Sequence, residues 1–94
     1  MNRDDVELSP WRHYGEDYRE VIVCRELKIY RKFYDPDKYK IMMRFSKDER
    51  QYLLDVYDYA NDYGKMLWCD SFVDLLNKAE EEIDKIIDAM YDER

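Results

Sequence analysis

The clearest alternation of apolar and polar side chains lies at residues 39–45. Tyr39, Ile41, Met43 and Phe45 point one way, and Lys40, Met42 and Arg44 the other. A period of two belongs to a β-strand with one buried face. Asp35-Pro36-Asp37 marks its start, because proline disfavours helical backbone at the residue before it. The period then changes. Leu53, Val56, Ala60 and Tyr63 recur at three and four, Ser46 and Glu49 have the spacing of a capping box, and Gly64 stands where a helix can stop. This predicts a helix over 47–63. A longer stripe of Phe72, Leu75, Leu76, Ala79, Ile83, Ile86, Ile87 and Met90 predicts a last helix over 71–91, capped by Asp70 or Ser71. Lys65–Cys69 reads as a short apolar connection.

Residues 16–34 admit two readings. As a helix, Tyr18, Ile22, Val23, Leu27, Ile29, Tyr30, Phe33 and Tyr34 fill one half of the wheel, and Arg25, Lys28, Arg31 and Lys32 share the other. As a strand, Val21-Ile22-Val23 has the right propensity, but strict alternation breaks at Tyr30-Arg31. The helix is preferred. Residues 1–15 have no clean period. Ser9-Pro10 can start a short helix there, and Trp11 and Tyr14 are expected to pin this arm onto a single domain at 16–94.

These elements leave one strand without a neighbour, and a lone strand has unpaired backbone donors and acceptors. Pairing with the same strand of a second copy across a two-fold axis solves this. The expected fold is mainly α with a short β ribbon (α+β): an N-terminal helix, a strand and two helices, with the strand paired across a homodimer.

Composition narrows the function. The net charge is −7, but it is unevenly spread: residues 1–18 carry −3, 19–45 carry +4, 46–69 carry −2 and 70–94 carry −6. The basic middle keeps a nucleic-acid partner open. Cys24 and Cys69 have no paired spacing and His13 is the single histidine. No zinc site or other metal site is expected from them, and both thiols read as reduced in a cytoplasmic protein. No apolar run approaches the ~20 residues of a membrane span. No phosphate loop or nucleophile elbow is present. Neither catalytic residues, a cofactor nor a small-molecule substrate is expected. Ten tyrosines suit contact surfaces, where the ring is buried and the hydroxyl stays wet.

The run Lys40-Ile41-Met42-Met43-Arg44-Phe45-Ser46, a capped helix, Gly64, and then Asp70-Ser71-Phe72-Val73-Asp74-Leu75-Leu76 resembles a ribbon-helix-helix domain over residues 39–88. The resemblance implies a dimeric transcriptional regulator whose ribbon enters the DNA major groove. On it, Lys40, Met42 and Arg44 would read base edges. Ser71, at the start of the second helix, would hold a DNA phosphate, although Asp70 and Asp74 beside it would repel one.

A second constellation competes. If 47–63 is helical, Asp48, Asp55, Asp58 and Asp62 share one face, bordered by Tyr52 and Tyr59. Glu80, Glu81, Asp84, Asp88 and Asp92 share a face of the last helix. Rows of carboxylates can imitate a phosphate backbone. In size and charge the chain is similar to small acidic phage proteins that block nucleases or CRISPR effectors, an anti-CRISPR-type anti-defence role. The two leading expectations are a DNA-binding regulator and an acidic inhibitor of a nucleic-acid-binding protein. A protein-interaction module using the same dimer comes third.

Overall fold

The computed structural model describes residues 5–14, 20–30, 35–46 and 48–92. These form six strands and one helix: β1 (Val6–Leu8), β2 (Arg12–His13), β3 (Glu20–Ile29), β4 (Asp37–Ser46), β5 (Gln51–Asp58), β6 (Tyr63–Cys69) and α1 (Phe72–Asp92). All strands join one antiparallel sheet. β3 to β6 run as a meander, and β1 and β2 lie one after the other along the outer side of β3.

The expected mainly helical fold is overturned. β4 contains the predicted strand but pairs with β3 on one side and β5 on the other. It has no free edge for a second copy, so the ribbon across a two-fold axis does not form. The element that follows is β5, not a helix, and this removes the ribbon-helix-helix resemblance. Within 16–34, residues 20–29 are β3; residues 16–19 and 31–34 lie outside the described residues. Within the predicted 47–63 helix, residues 51–58 are β5 and 59–62 a turn; Lys47 lies outside the described residues. The apolar connection at 65–69 is part of β6. In the arm, Ser9-Pro10 is the break between β1 and β2 rather than a helix start. Residues 1–4 and Gly15 are outside the described set.

β5 shows why the helical period misled. Tyr52, Leu54 and Val56 face α1, while Leu53, Asp55 and Tyr57 face the other way. Leu53 is buried although α1 does not cover its side, so apolar residues fall on both parities and satisfy a helical stripe equally well. The Ser46–Glu49 pair is real in part. Ser46 Oγ accepts the Glu49 N–H at 3.4 Å, but it does so within the β4–β5 connection, not at a helix start. That connection ends with Arg50 at φ 50°, a left-handed conformation.

α1 is where the sequence placed it. Ser71 Oγ accepts the Asp74 N–H at 3.1 Å, and the Asp74 carboxylate accepts the Asp70 N–H at 3.2 Å, a reciprocal cap. The helix packs mainly over β5 and β4. Its Leu75, Ala79 and Ile83 are buried against Leu27 and Ile29 of β3, Ile41 and Met43 of β4, Leu54 and Val56 of β5, and Cys69 of β6. Each fully buried large side chain contributes about 1.5–3 kcal/mol. Of the two residues expected to pin the N-terminal segment, Trp11 packs on this core with the Arg25 guanidinium 5.0 Å from its ring centre, whereas Tyr14 is largely exposed. Among the described residues, no helix is long and apolar enough to cross a membrane.

Among the described residues, Glu82 is the charged exception in the core, 7% exposed. Lys65 Nζ donates to both its oxygens, at 3.0 and 3.1 Å, and Lys85 Nζ lies at 3.4 Å. Burial pushes the Glu82 carboxyl up, but the hydrogen bonds and charges of Lys65 and Lys85 outweigh it and hold the group below its ordinary value. A carboxyl depressed in the folded state stabilises the protein above the unfolded-state pKa of about 4.3, and that contribution is lost as pH falls through the folded value. Lys65→Ala leaves Glu82 with the exposed Lys85 alone and should cost about 1–3 kcal/mol at neutral pH. Urea titrations should also show a shallower loss of stability in the variant as pH falls below about 4.3. Equal stability of the two proteins at pH 7 would show that the pair contributes nothing.

Candidate binding surface

Among the described residues, α1 covers one face of the sheet and the other is left open. Strand register assigns the open face without ambiguity. Ile22, Arg44, Leu53 and Trp68 stand side by side across β3 to β6, and Cys24, Met42, Asp55 and Met66 form the next row. Glu26, Lys40, Tyr57 and Gly64 follow, with Arg12 of β2 beside Cys24. The two rows around Leu53 are largely apolar; the region towards β2 and the β5–β6 turn is basic and aromatic.

The alternation at β4 correctly places Lys40, Met42 and Arg44 on one face. They are not equivalent there. Arg44 Nε is held 3.2 Å from a Glu20 carboxylate oxygen, whereas Lys40 Nζ lies 5.2 Å from the centre of the Tyr14 ring, a cation–π contact. Ser71 is not part of this group. Its hydroxyl is the α1 cap, and the carboxylate of Asp74 already sits at that helix end, as an anion would.

The acidic stripe expected on a 47–63 helix is dispersed. Asp48 lies in the β4–β5 connection, at the opposite end of β5 from Asp58, Tyr59 and Asp62. Tyr52 faces α1, and Asp55 lies on the open face between Met42 and Met66. Asp58 and Asp62 are turn builders. The Asp58 carboxylate accepts the N–H groups of Ala60 at 3.0 Å and Asn61 at 3.4 Å, and the Asn61 amide at 2.7 Å. Asp62 adopts φ 49° and accepts the Tyr57 hydroxyl. The Tyr57 and Tyr59 rings then meet edge to face at 5.0 Å.

A cleft of about 400 Å³ opens where β2, β3 and β4 meet this turn. Arg12, Lys28, Lys40, Tyr14 and Tyr59 line it, and among the described residues Glu26 is its one acidic member. His13 and Cys24 also line it, without a hydrogen bond between them. Burial pushes the Cys24 thiol up, more than Lys40 draws it down, which works against the thiolate a nucleophile needs. Among the described residues, no group of three His, Cys, Asp or Glu side chains is arranged to hold a metal ion.

Sequence reasoning missed Trp68 and Met66, which are 65% and 58% exposed on the open face. Tyr63, Leu67 and Cys69 occupy the other parity of the same strand, so β6 is apolar on both sides and gives no alternation to read. It also missed the joining of Arg12 to Lys28 and Lys40, which depends on β2 pairing with β3.

The Tyr57–Asp62 contact makes a direct spectroscopic prediction. The hydrogen bond to Asp62, and then desolvation and nearby negative charge, raise the Tyr57 phenol above its ordinary value. Asp62→Asn keeps a residue that tolerates the left-handed backbone and removes the charge. In an NMR titration of ring-labelled tyrosine, with Tyr57→Phe supplying the assignment, the Tyr57 signal should titrate at lower pH in Asp62→Asn than in the parent. An unchanged titration would show that the contact is absent in solution. No family model, curated protein or solved structure matches the chain, so the surface itself carries the functional argument.

Proposed function

We propose that this chain is a non-catalytic binding protein that presents an acidic side to a basic, nucleic-acid-handling protein, such as a defence nuclease or CRISPR effector, and occupies its nucleic-acid channel. The observation that carries this reading is how α1 divides its carboxylates. Asp74 and Glu82 serve the fold, one as a cap and the other as the partner of Lys65. Glu81, Asp84 and Asp88 stand exposed at helical spacing. Among the described residues, no basic side chain lies within ion-pair distance of these three. Lys85, which sits among them, turns its ammonium to Glu82 instead. Successive members of such a row are about 5–6 Å apart, a regular line of negative charge that channel Lys and Arg can take in place of phosphates. Glu80 flanks it, and its charge is felt by Arg25; the Asp92 side chain lies outside the described residues. A net charge of −7 adds long-range steering towards a basic partner.

A second reading, nucleic acid bound by a small regulator, is favoured by one observation. Arg12, Lys28 and Lys40 surround the 400 Å³ cleft beside Tyr14 and Tyr59, and aromatic rings among basic groups suit single-stranded nucleic acid. It requires that contact to outweigh the repulsion of the molecule's net charge.

One variant separates the two. Glu81→Gln/Asp84→Asn/Asp88→Asn alters exposed positions and should fold normally by circular dichroism. On the first reading the parent captures a protein from nuclease-treated lysate, and binding weakens with salt because the attraction is screened. The triple variant should then associate on the order of tenfold more slowly or worse. Capture that is abolished by nuclease treatment and unaffected by the triple change would overturn the first reading in favour of the second.

A further inference from the structure

We infer that β6 is a self-pairing edge, and that two copies of this chain join antiparallel through Tyr63–Cys69 about a two-fold axis at Met66. The inference rests on edge geometry and is independent of the acidic row. Among the described residues, β6 ends the sheet and pairs with β5 alone. Among the described residues, no other group hydrogen-bonds its backbone. A terminal strand in this state is a template for another strand, unless charge, proline or a bulge blocks it. The opposite edge has such a block, since β1 and β2 are separated by Ser9-Pro10-Trp11. β6 has none. Its one charged residue, Lys65, is drawn to Glu82.

Among the described residues, five of the nine exposed large apolar side chains lie at this edge. Met66 and Trp68 lie on the open side, while Tyr63, 64% exposed, lies on the side that α1 occupies. Phe72, 41% exposed, and Val73, 65% exposed, follow directly at the start of α1. With large side chains presenting about 150–250 Å² each, these five offer on the order of 500 Å² per copy. Two copies, before any backbone is counted, therefore reach about the 1,000 Å² that a specific interface needs.

Self-pairing also fixes its own register. Residues directly opposite must share a face, so the two-fold axis passes through a residue. Met66 is the midpoint of Tyr63–Cys69, and centring there pairs the whole strand. Lys65 then faces Leu67 of the second copy. Centring at Lys65 would set two ammonium groups against each other, and centring at Leu67 would leave Gly64 opposite Asp70. With Met66 central, Trp68 of each copy stands over Gly64 of the other, and Tyr63 meets the start of the other α1. Gly64 fits this arrangement. Its backbone does not require glycine, and a Cβ there would make ordinary contacts of 3.6 Å with Tyr57 and 3.7 Å with Asp55. Nothing within one copy needs the missing side chain, whereas an indole laid across from the second copy does.

The test uses two substitutions at the axis. Met66 is exposed, so Met66→Lys should fold normally, yet it sets like charges directly opposite and removes two apolar contacts. Sedimentation should show a dimer for the parent at micromolar concentration. The dissociation constant should weaken by at least about a hundredfold in Met66→Lys, and the parent dimer should tolerate salt that weakens an acidic-row complex. Met66→Cys, in a Cys24→Ala/Cys69→Ala background checked for folding, places two thiols at a self-opposed position within disulfide reach. It should cross-link on oxidation, whereas Gly64→Cys and Trp68→Cys should not. A parent that stays monomeric at 100 micromolar (about 1 mg/ml), or a dimer that survives Met66→Lys, would overturn the inference. Cross-linking that is as fast at Gly64→Cys as at Met66→Cys would overturn the register.

Discussion

An antiparallel meander has two faces, and among the described residues one helix is present to cover them. The docking of Leu75, Ala79 and Ile83 onto Leu27, Ile41, Leu54 and Val56 is the contact on which the rest of the molecule depends. It gives the sheet its dry side, sets the register that places Lys65 beside Glu82, and commits Met42, Leu53, Met66 and Trp68 to the uncovered side. The helix sits mainly over β5 and β4, so it also leaves β6 as an edge. The uncovered face and the open edge are consequences of one geometric fact: a single helix is narrower than the sheet it covers.

The parts of this arrangement that were legible in the sequence are those with one clean period. β4 alternates because Tyr39, Ile41, Met43 and Phe45 face α1 while Lys40 and Arg44 face solvent. α1 shows its stripe because a helix on a sheet buries one narrow sector. β3, β5 and β6 were not legible, and for the same reason in each. Ile22 and Cys24 of β3, Leu53 of β5, and Met66 and Trp68 of β6 put apolar side chains on the uncovered face as well. A strand apolar on both faces loses the period that distinguishes it from a helix. In β3 the apparent failure of alternation involves Tyr30, which follows the last strand residue, Ile29, and Arg31, which lies outside the described residues. The mistaken family resemblance followed from this. Once β5 is read as a helix, β4 is left alone and a second copy is needed to pair it.

The candidate surface was legible residue by residue but not as an assembly. Lys40, Met42 and Arg44 do share a face, yet Arg44 is taken by Glu20, and the basic neighbours of Lys40 come from β2 and β3 through long-range pairing. The Asp48–Asp62 stripe existed only on a helix that does not form. As part of a strand and two connections, its members divide between turn construction, at Asp58 and Asp62, and separate places on the surface.

The distribution of charge on α1 is harder to explain by stability than by binding. A helix favours acidic residues near its start and basic ones near its end, by about 0.3–1 kcal/mol for each well-placed charge. α1 has Asp74 in its first turn but no basic residue in its last turn. Its exposed acids continue past Glu81 to Asp84 and Asp88, beyond the first turn in which the dipole favours them. The core requires none of them, because the inward positions are already filled by Leu75, Ala79, Ile83 and the Lys65-paired Glu82. Lysine at the outward positions would serve the helix better and would bring the chain closer to neutrality. A fold that carries these carboxylates beyond the turn where the dipole favours them, with its exposed Lys85 paired to Glu82, keeps its outer side acidic without a gain in helix stability. That arrangement fits the basic partner proposed for the row.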